Sequence, residues 1–174
     1  MSTEYLYVIP ASPKYVPTAH VRDLALEALK VMLPGAESVD VVVHTDISFI
    51  DSGVRFEQVS CHFCGAELDQ IWWGDAMNAA HKTAFNDLRI QLPCCDAAST
   101  LNDLHYKMPS GFARFLLKAQ GGSLGAQLPV DKMRGLETIL NTPLKQIWAQ
   151  YREIEEGQVR IYSRRVGGAT SGRG

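Results

Sequence analysis

Four cysteines in two tight pairs constrain this chain more than any other feature: Cys61 with Cys64, and Cys94 with Cys95. A tight pair makes a poor staple, because a disulfide stabilises most when it closes a long loop. Four cysteines in 174 residues are also too sparse for a disulfide-built secreted scaffold. Close pairs without an export leader point instead to metal or redox chemistry. The opening MSTEYLYVIPASPKY has no basic start and breaks at Pro10 before an apolar leader core can form. No run approaches the ~18 apolar residues that a membrane span needs. The expectation is a cytoplasmic chain with no membrane segment.

Cys61-His62-Phe63-Cys64-Gly65 is a C-x2-C-G turn entered from a β-rich stretch. Its spacing aims two thiolates at one ion, and the glycine tolerates the positive φ such a turn requires. Cys94-Cys95 again follows a strand, Leu88 to Leu92. Two cysteine-bearing turns at strand ends, facing a tetrahedral ion, make a zinc ribbon. The expected metal ligands are therefore Cys61, Cys64, Cys94 and Cys95.

The second pair departs from the usual spacing, since positions 97 and 98 hold Ala97 and Ala98. Adjacent cysteines both ligate only across a sharp kink; otherwise His62, His81, His105 or Asp96 completes the site. Four sulfur ligands leave no open position, so the zinc would be structural. A thioredoxin-like dithiol at Cys61 and Cys64 is the competing reading. Gly65-Ala66-Glu67 starts a helix poorly, however, and a dithiol leaves Cys94-Cys95 unexplained. Buried cysteines without a ligand are a third.

The rest of the chain reads as α+β. A strand at Tyr5–Ile9 precedes a helix over 18–33, started by Pro17-Thr18 and stopped by Pro34-Gly35. Val39–His44, Ile47–Ile50 and Arg55–Ser60 suggest an antiparallel meander, and 69–84 a helix. Phe112–Ala119 alternates as a half-buried strand with Arg114 and Lys118 outward. After a Gly-rich connector at 121–125, two short helices are expected, the second with the stripe Leu144, Ile147, Trp148 and Tyr151. No internal repeat is apparent. With 46% hydrophobic and 21% charged residues, one domain over 1–156 is expected, with the zinc-ribbon-like element at about 55–96 and a basic tail at 157–174. The expected fold is a mostly antiparallel sheet packed by helices.

No nucleophile elbow, zinc-protease, Walker or dinucleotide signature is present. Asp103, two residues from His105, could orient it as a base or ligand, but a polar loop with an ordinary surface histidine is the preferred reading. Adjacent Trp72 and Trp73 on one helix cannot both face one core, which leaves one for a rim. The last eighteen residues carry four arginines and no acid, so the overall −2 becomes −6 over residues 1–156. Asp40, Asp46, Asp51, Glu57, Glu67, Asp69 and Asp75 cluster in sequence and would suit a basic partner if they share a face.

YLYVIP, the VPT-started helix, CxxCG, PCC, STLNDL, GFARF and PLKQIWAQY together resemble a group of small bacterial intracellular proteins over about residues 4–151. The resemblance implies that the cysteine pairs and segment 99–115 form one unit, and it carries over no catalytic residue. His62 stands where that pattern has Pro, and Asp96 where it has Gly. The expected function is a non-enzymatic protein-binding module with a structural zinc, such as an immunity protein that neutralises a basic toxin or enzyme. The alternatives are a zinc-ribbon nucleic-acid or transcription-associated factor using the arginine tail, and a dithiol oxidoreductase or a zinc hydrolase with an open site including His105.

Overall fold

The computed structural model describes residues 2–121 and 127–152. In chain order the elements are β1 (Ser2–Pro10), α1 (Ala19–Met32), β2 (Ser38–Ile50), β3 (Val59–Ser60), α2 (Gln70–His81) and β4 (Arg89–Gln91). β5 (Ala98–Thr100), β6 (His105–Tyr106), β7 (Gly111–Gln120), α3 (Val130–Leu140) and β8 (Leu144–Arg152) complete them. The class is α+β with antiparallel sheets, as expected.

Local chemistry sets the helix ends. The Thr18 hydroxyl accepts the Val21 N–H at 3.4 Å to cap α1. The Asp69 carboxylate caps α2, accepting from Ile71 and Trp72 N–H at 2.8 and 3.0 Å. Asn141 closes α3 in the left-handed conformation at φ 51°.

The described residues fall into two compact units. The first, Met1–Glu57 with Met108–Arg152, holds a four-stranded sheet in the order β2-β7-β1-β8, every neighbouring pair antiparallel. Helix α1 connects β1 to β2 and α3 connects β7 to β8, so each crossover skips one strand. This is the split β-α-β, or ferredoxin-like, topology. Leu6, Val8, Phe115, Leu117 and Ala119 of the two central strands form one core cluster with Ala25 and Leu29 of α1 and Leu136 and Leu140 of α3. The second unit, Gln58–Lys107, interrupts the chain between β2 and β7 and contains α2 and two small ladders, β3 with β6 and β4 with β5.

Four expectations are corrected. The segment after Pro143 is strand β8, paired with β1 over nine residues, and not a helix. Leu144, Ile147, Trp148 and Tyr151 satisfy the helical period, but Ile147 and Ala149 also alternate with half-buried neighbours. A continuous ladder on an otherwise open edge overrides weak local propensity. The expected break at Thr45-Asp46 is a register shift between Val43 and Ser48 within one continuous β2. Only Val59–Ser60 of the expected 55–60 strand is extended. Strand β7 is buried on both faces, with Phe112, Phe115, Leu116 and Leu117 at 3% exposure or less: Phe115 and Leu117 pack with α1 and α3, and Leu116 packs in a second cluster with Ile9, Ile50 and Ile147. The connector beyond Gly121 and the 157–174 tail lie outside the described residues.

Candidate metal centre

Two hairpins in the second unit carry the cysteines, and they are built alike. In the first, Cys61 N–H donates to Ala66 O and Gly65 N–H to Cys61 O, both at 2.9 Å. In the second, Leu92 N–H donates to Ala97 O and Asp96 N–H to Leu92 O, again at 2.9 Å. The flanking pairs correspond too, Ser60 opposite Glu67 and Gln91 opposite Ala98. Gly65 and Asp96 occupy equivalent left-handed positions, at φ 75° and 58°. Cys-His-Phe-Cys-Gly-Ala therefore matches Leu-Pro-Cys-Cys-Asp-Ala residue for residue.

The equivalence explains the adjacent cysteines. Each turn buries its first position, Cys61 at 1% and Leu92 at 0% exposure. The first hairpin presents sulfur from positions one and four; the second uses position one for a core leucine and presents sulfur from positions three and four. The tight turn and the left-handed Asp96 supply the bend that adjacent ligands require.

All four sulfurs lie within 4.8 Å of one another. Across the hairpins, Cys61 Sγ is 3.8 Å from Cys95 Sγ, and Cys64 Sγ is 3.5 Å from Cys94 Sγ. A tetrahedral zinc with ~2.3 Å bonds to sulfur has S–S edges of about 3.8 Å, so the cross-hairpin distances fit such an ion. The Cys61 sulfur accepts backbone N–H groups from Phe63 at 3.3 Å and Cys64 at 3.5 Å.

Those bonds bear on ionisation. The Cys64 N–H first, helped by that of Phe63 and opposed by burial, lowers the Cys61 thiol to about 7. The Cys94 residue is exposed, but loss of water around its crowded sulfur pushes its thiol up to about 12, with the hydrogen bonds to Cys64, Cys61 and Cys95 adding to the rise. Four thiols at these distances resist joint ionisation. A divalent cation reverses that, since it holds its sulfur ligands as thiolates.

The other ligand candidates are placed differently. Among the described residues, the metal-type cluster contains the four cysteines alone. The His62 ring lies against Phe63, with centroids 3.9 Å apart, and the His81 ring stands edge-on to Phe85 at 5.4 Å. Asp96 accepts from Gln91 Nε2 at 2.9 Å. Asp103 accepts from the Thr100 hydroxyl at 2.6 Å, and His105 is exposed on β6. Trp73 stands edge-on to buried Tyr106, while Trp72 lines a groove with Ala76, Ala79 and Ile90. Of the acidic residues, Asp40, Asp46, Asp51 and Glu57 belong to the first unit, and Glu67, Asp69 and Asp75 to the second.

One titratable cluster in the first unit has no sequence signature. The Tyr151 hydroxyl donates to both the backbone oxygen and Oδ1 of Asp51, each at 3.2 Å. Tyr7 shares this network, and burial raises its pKa to about 12. Burial also raises Tyr151 and Asp51, opposed at Asp51 by the hydrogen bonds it accepts from the Gly53 N–H and the Tyr151 hydroxyl. The network ties the 51–53 turn to β8. Its members lie far apart in sequence, and only the unforeseen β8 strand brings Tyr151 to Asp51. No family model, curated protein or solved structure matches the chain.

Proposed function

We propose that the chain is a non-enzymatic protein-binding module whose 58–107 unit is a zinc-ribbon-like element closed by one structural zinc on Cys61, Cys64, Cys94 and Cys95. The observation that carries this reading is the convergence of four sulfurs from two equivalent hairpins to within 4.8 Å. Four thiolates complete a tetrahedron and leave no position for a reactive water. The ion would supply folding energy and not a Lewis acid.

Charge favours a basic protein partner over nucleic acid. Residues 58–107 contain six Asp and Glu against three Lys and Arg. Zinc with four thiolates adds a further −2, whereas a nucleic-acid ribbon needs cations to neutralise phosphates. Exposed Phe63 and Ile71, at 61% and 77%, supply apolar contact beside this charge. An immunity-type inhibitor of a basic toxin is the narrowest form of the reading.

Elemental analysis of the purified chain tests the ion. One zinc per chain, with all four cysteines protected from alkylation, is expected; metal-free protein with freely alkylated thiols would remove the structural-zinc reading. Titration with random-sequence duplex DNA at low salt tests the partner class. No binding is expected, and salt-sensitive binding would replace the protein-partner reading with the nucleic-acid one. A stoichiometric basic protein captured from the native host should be lost from the Glu67→Lys, Asp75→Lys double variant.

A further inference from the structure

A buried tetrathiolate site is chemically inert because solvent does not reach its sulfurs. This one sits at the surface: the Cys61 residue is buried, but the Cys64, Cys94 and Cys95 residues are all exposed, so a small oxidant can approach the cluster from the turn side. Metal-bound cysteines remain thiolates, and an accessible thiolate is the form that attacks peroxides. The shortest sulfur pair, Cys64 with Cys94 at 3.5 Å, consists of two exposed residues and spans the two hairpins.

We propose that Cys64 and Cys94 form an oxidation site for small hydroperoxides, and that their disulfide replaces the ion as the link between the hairpins. The inference rests on the zinc reading for its resting state. One thiolate of the pair attacks a peroxide oxygen; the O–O bond breaks, a sulfenic acid forms, and the departing oxygen takes a proton to leave as water or an alcohol. The second thiolate then attacks the sulfenic sulfur. The S–S bond forms as hydroxide leaves and is protonated to water. The two sulfurs give up two electrons, one peroxide is reduced, and the ion departs because two of its four ligands are gone.

Geometry selects the partner. Adjacent Cα atoms are about 3.8 Å apart, below the ~4.4 Å lower bound of an ordinary disulfide, which disfavours Cys94 with Cys95. The remaining cross-hairpin pair, Cys61 with Cys95, is 3.8 Å apart and includes the buried sulfur, so it oxidises second. Both disulfides run between hairpins, which keeps the two turns together after the ion has left.

The test is hydrogen peroxide titration of the zinc-loaded chain, with a chromogenic chelator reporting released zinc and non-reducing peptide mapping reporting the cross-link. The expected result is one zinc released per chain as the Cys64–Cys94 linked peptide accumulates, both reversed by dithiothreitol and added zinc. A Cys94–Cys95 or Cys61–Cys64 link, an intermolecular disulfide, sulfinic acid without a disulfide, or zinc retained under peroxide would each overturn the proposal. If the chain purifies without metal, the zinc reading fails, but the same mapping on metal-free protein still decides the pairing. The Cys94→Ser variant should lose the linked peptide altogether.

Discussion

A Cβ at Gly53 would sit 2.3 Å from the Gln150 carbonyl oxygen and 2.9 Å from the Tyr151 ring, on a backbone at φ 64°. The turn has little freedom to move. Asp51 Oδ1 accepts the Gly53 N–H at 2.7 Å, and Val54 N–H donates to Gln150 O at 2.9 Å. Gly53→Ala should therefore cost about 3 kcal/mol in denaturant unfolding, the upper range for a single change. Gly74 lies inside α2 with open space around its Cα, so Gly74→Ala should stabilise by about 0.5–1 kcal/mol. Equal or same-sign shifts for the two variants would contradict this account. Asp51-Ser52-Gly53 was legible as a turn from composition alone. What the turn presses against was not, because that depends on β8.

At the scale of elements, most segments were legible where one periodicity dominated. Helix α1 has a cap, a stripe and a proline stop, and its observed bounds fall within a residue of those expected. Leu144 to Arg152 carries four apolar residues that fit a helical stripe, while the partner that makes the segment a strand begins at Ser2. The cysteine hairpins were half legible. C-x2-C-G announces its turn, but L-P-C-C-D hides the same turn behind a leucine. Gly65 has no neighbour within 4 Å of an added Cβ, so Gly65→Ala is penalised by its positive φ alone, about 1–2 kcal/mol. Asp96 holds the equivalent conformation in the second hairpin, so Gly65→Asp should lose less than half as much. Urea midpoints of the zinc-loaded variants measure both; equal losses would show that the hairpins are not equivalent.

For the whole molecule, the sequence pattern names segments but not their neighbours in space. The sheet order β2-β7-β1-β8 pairs Ser2 with Arg152 and Ile50 with Gly111, separations no local pattern encodes. Among the described residues, the core cluster that contains Leu6, Leu29, Leu117 and Leu136 consists of first-unit residues. Metal removal should thus act locally. On adding a strong chelator, hydrogen exchange at amides within 58–107 should rise sharply while β1 and β7 amides keep their protection. Loss of protection across the sheet would show that the units fold as one.

The second unit also closes its own ends. Lys107 N–H donates to Gln58 O at 2.8 Å, and Val59 pairs with Tyr106 just inside. A floppy connector of fifty residues would burden the β2–β7 hairpin with loop entropy that grows with the logarithm of length. With its entrance and exit already bonded to each other, the insert constrains the polymer as a short turn would. Lengthening or exchanging what lies between Gln58 and Lys107 should then leave the folding of the host sheet nearly unchanged, and that makes this junction a natural place for the chain to acquire new sequence.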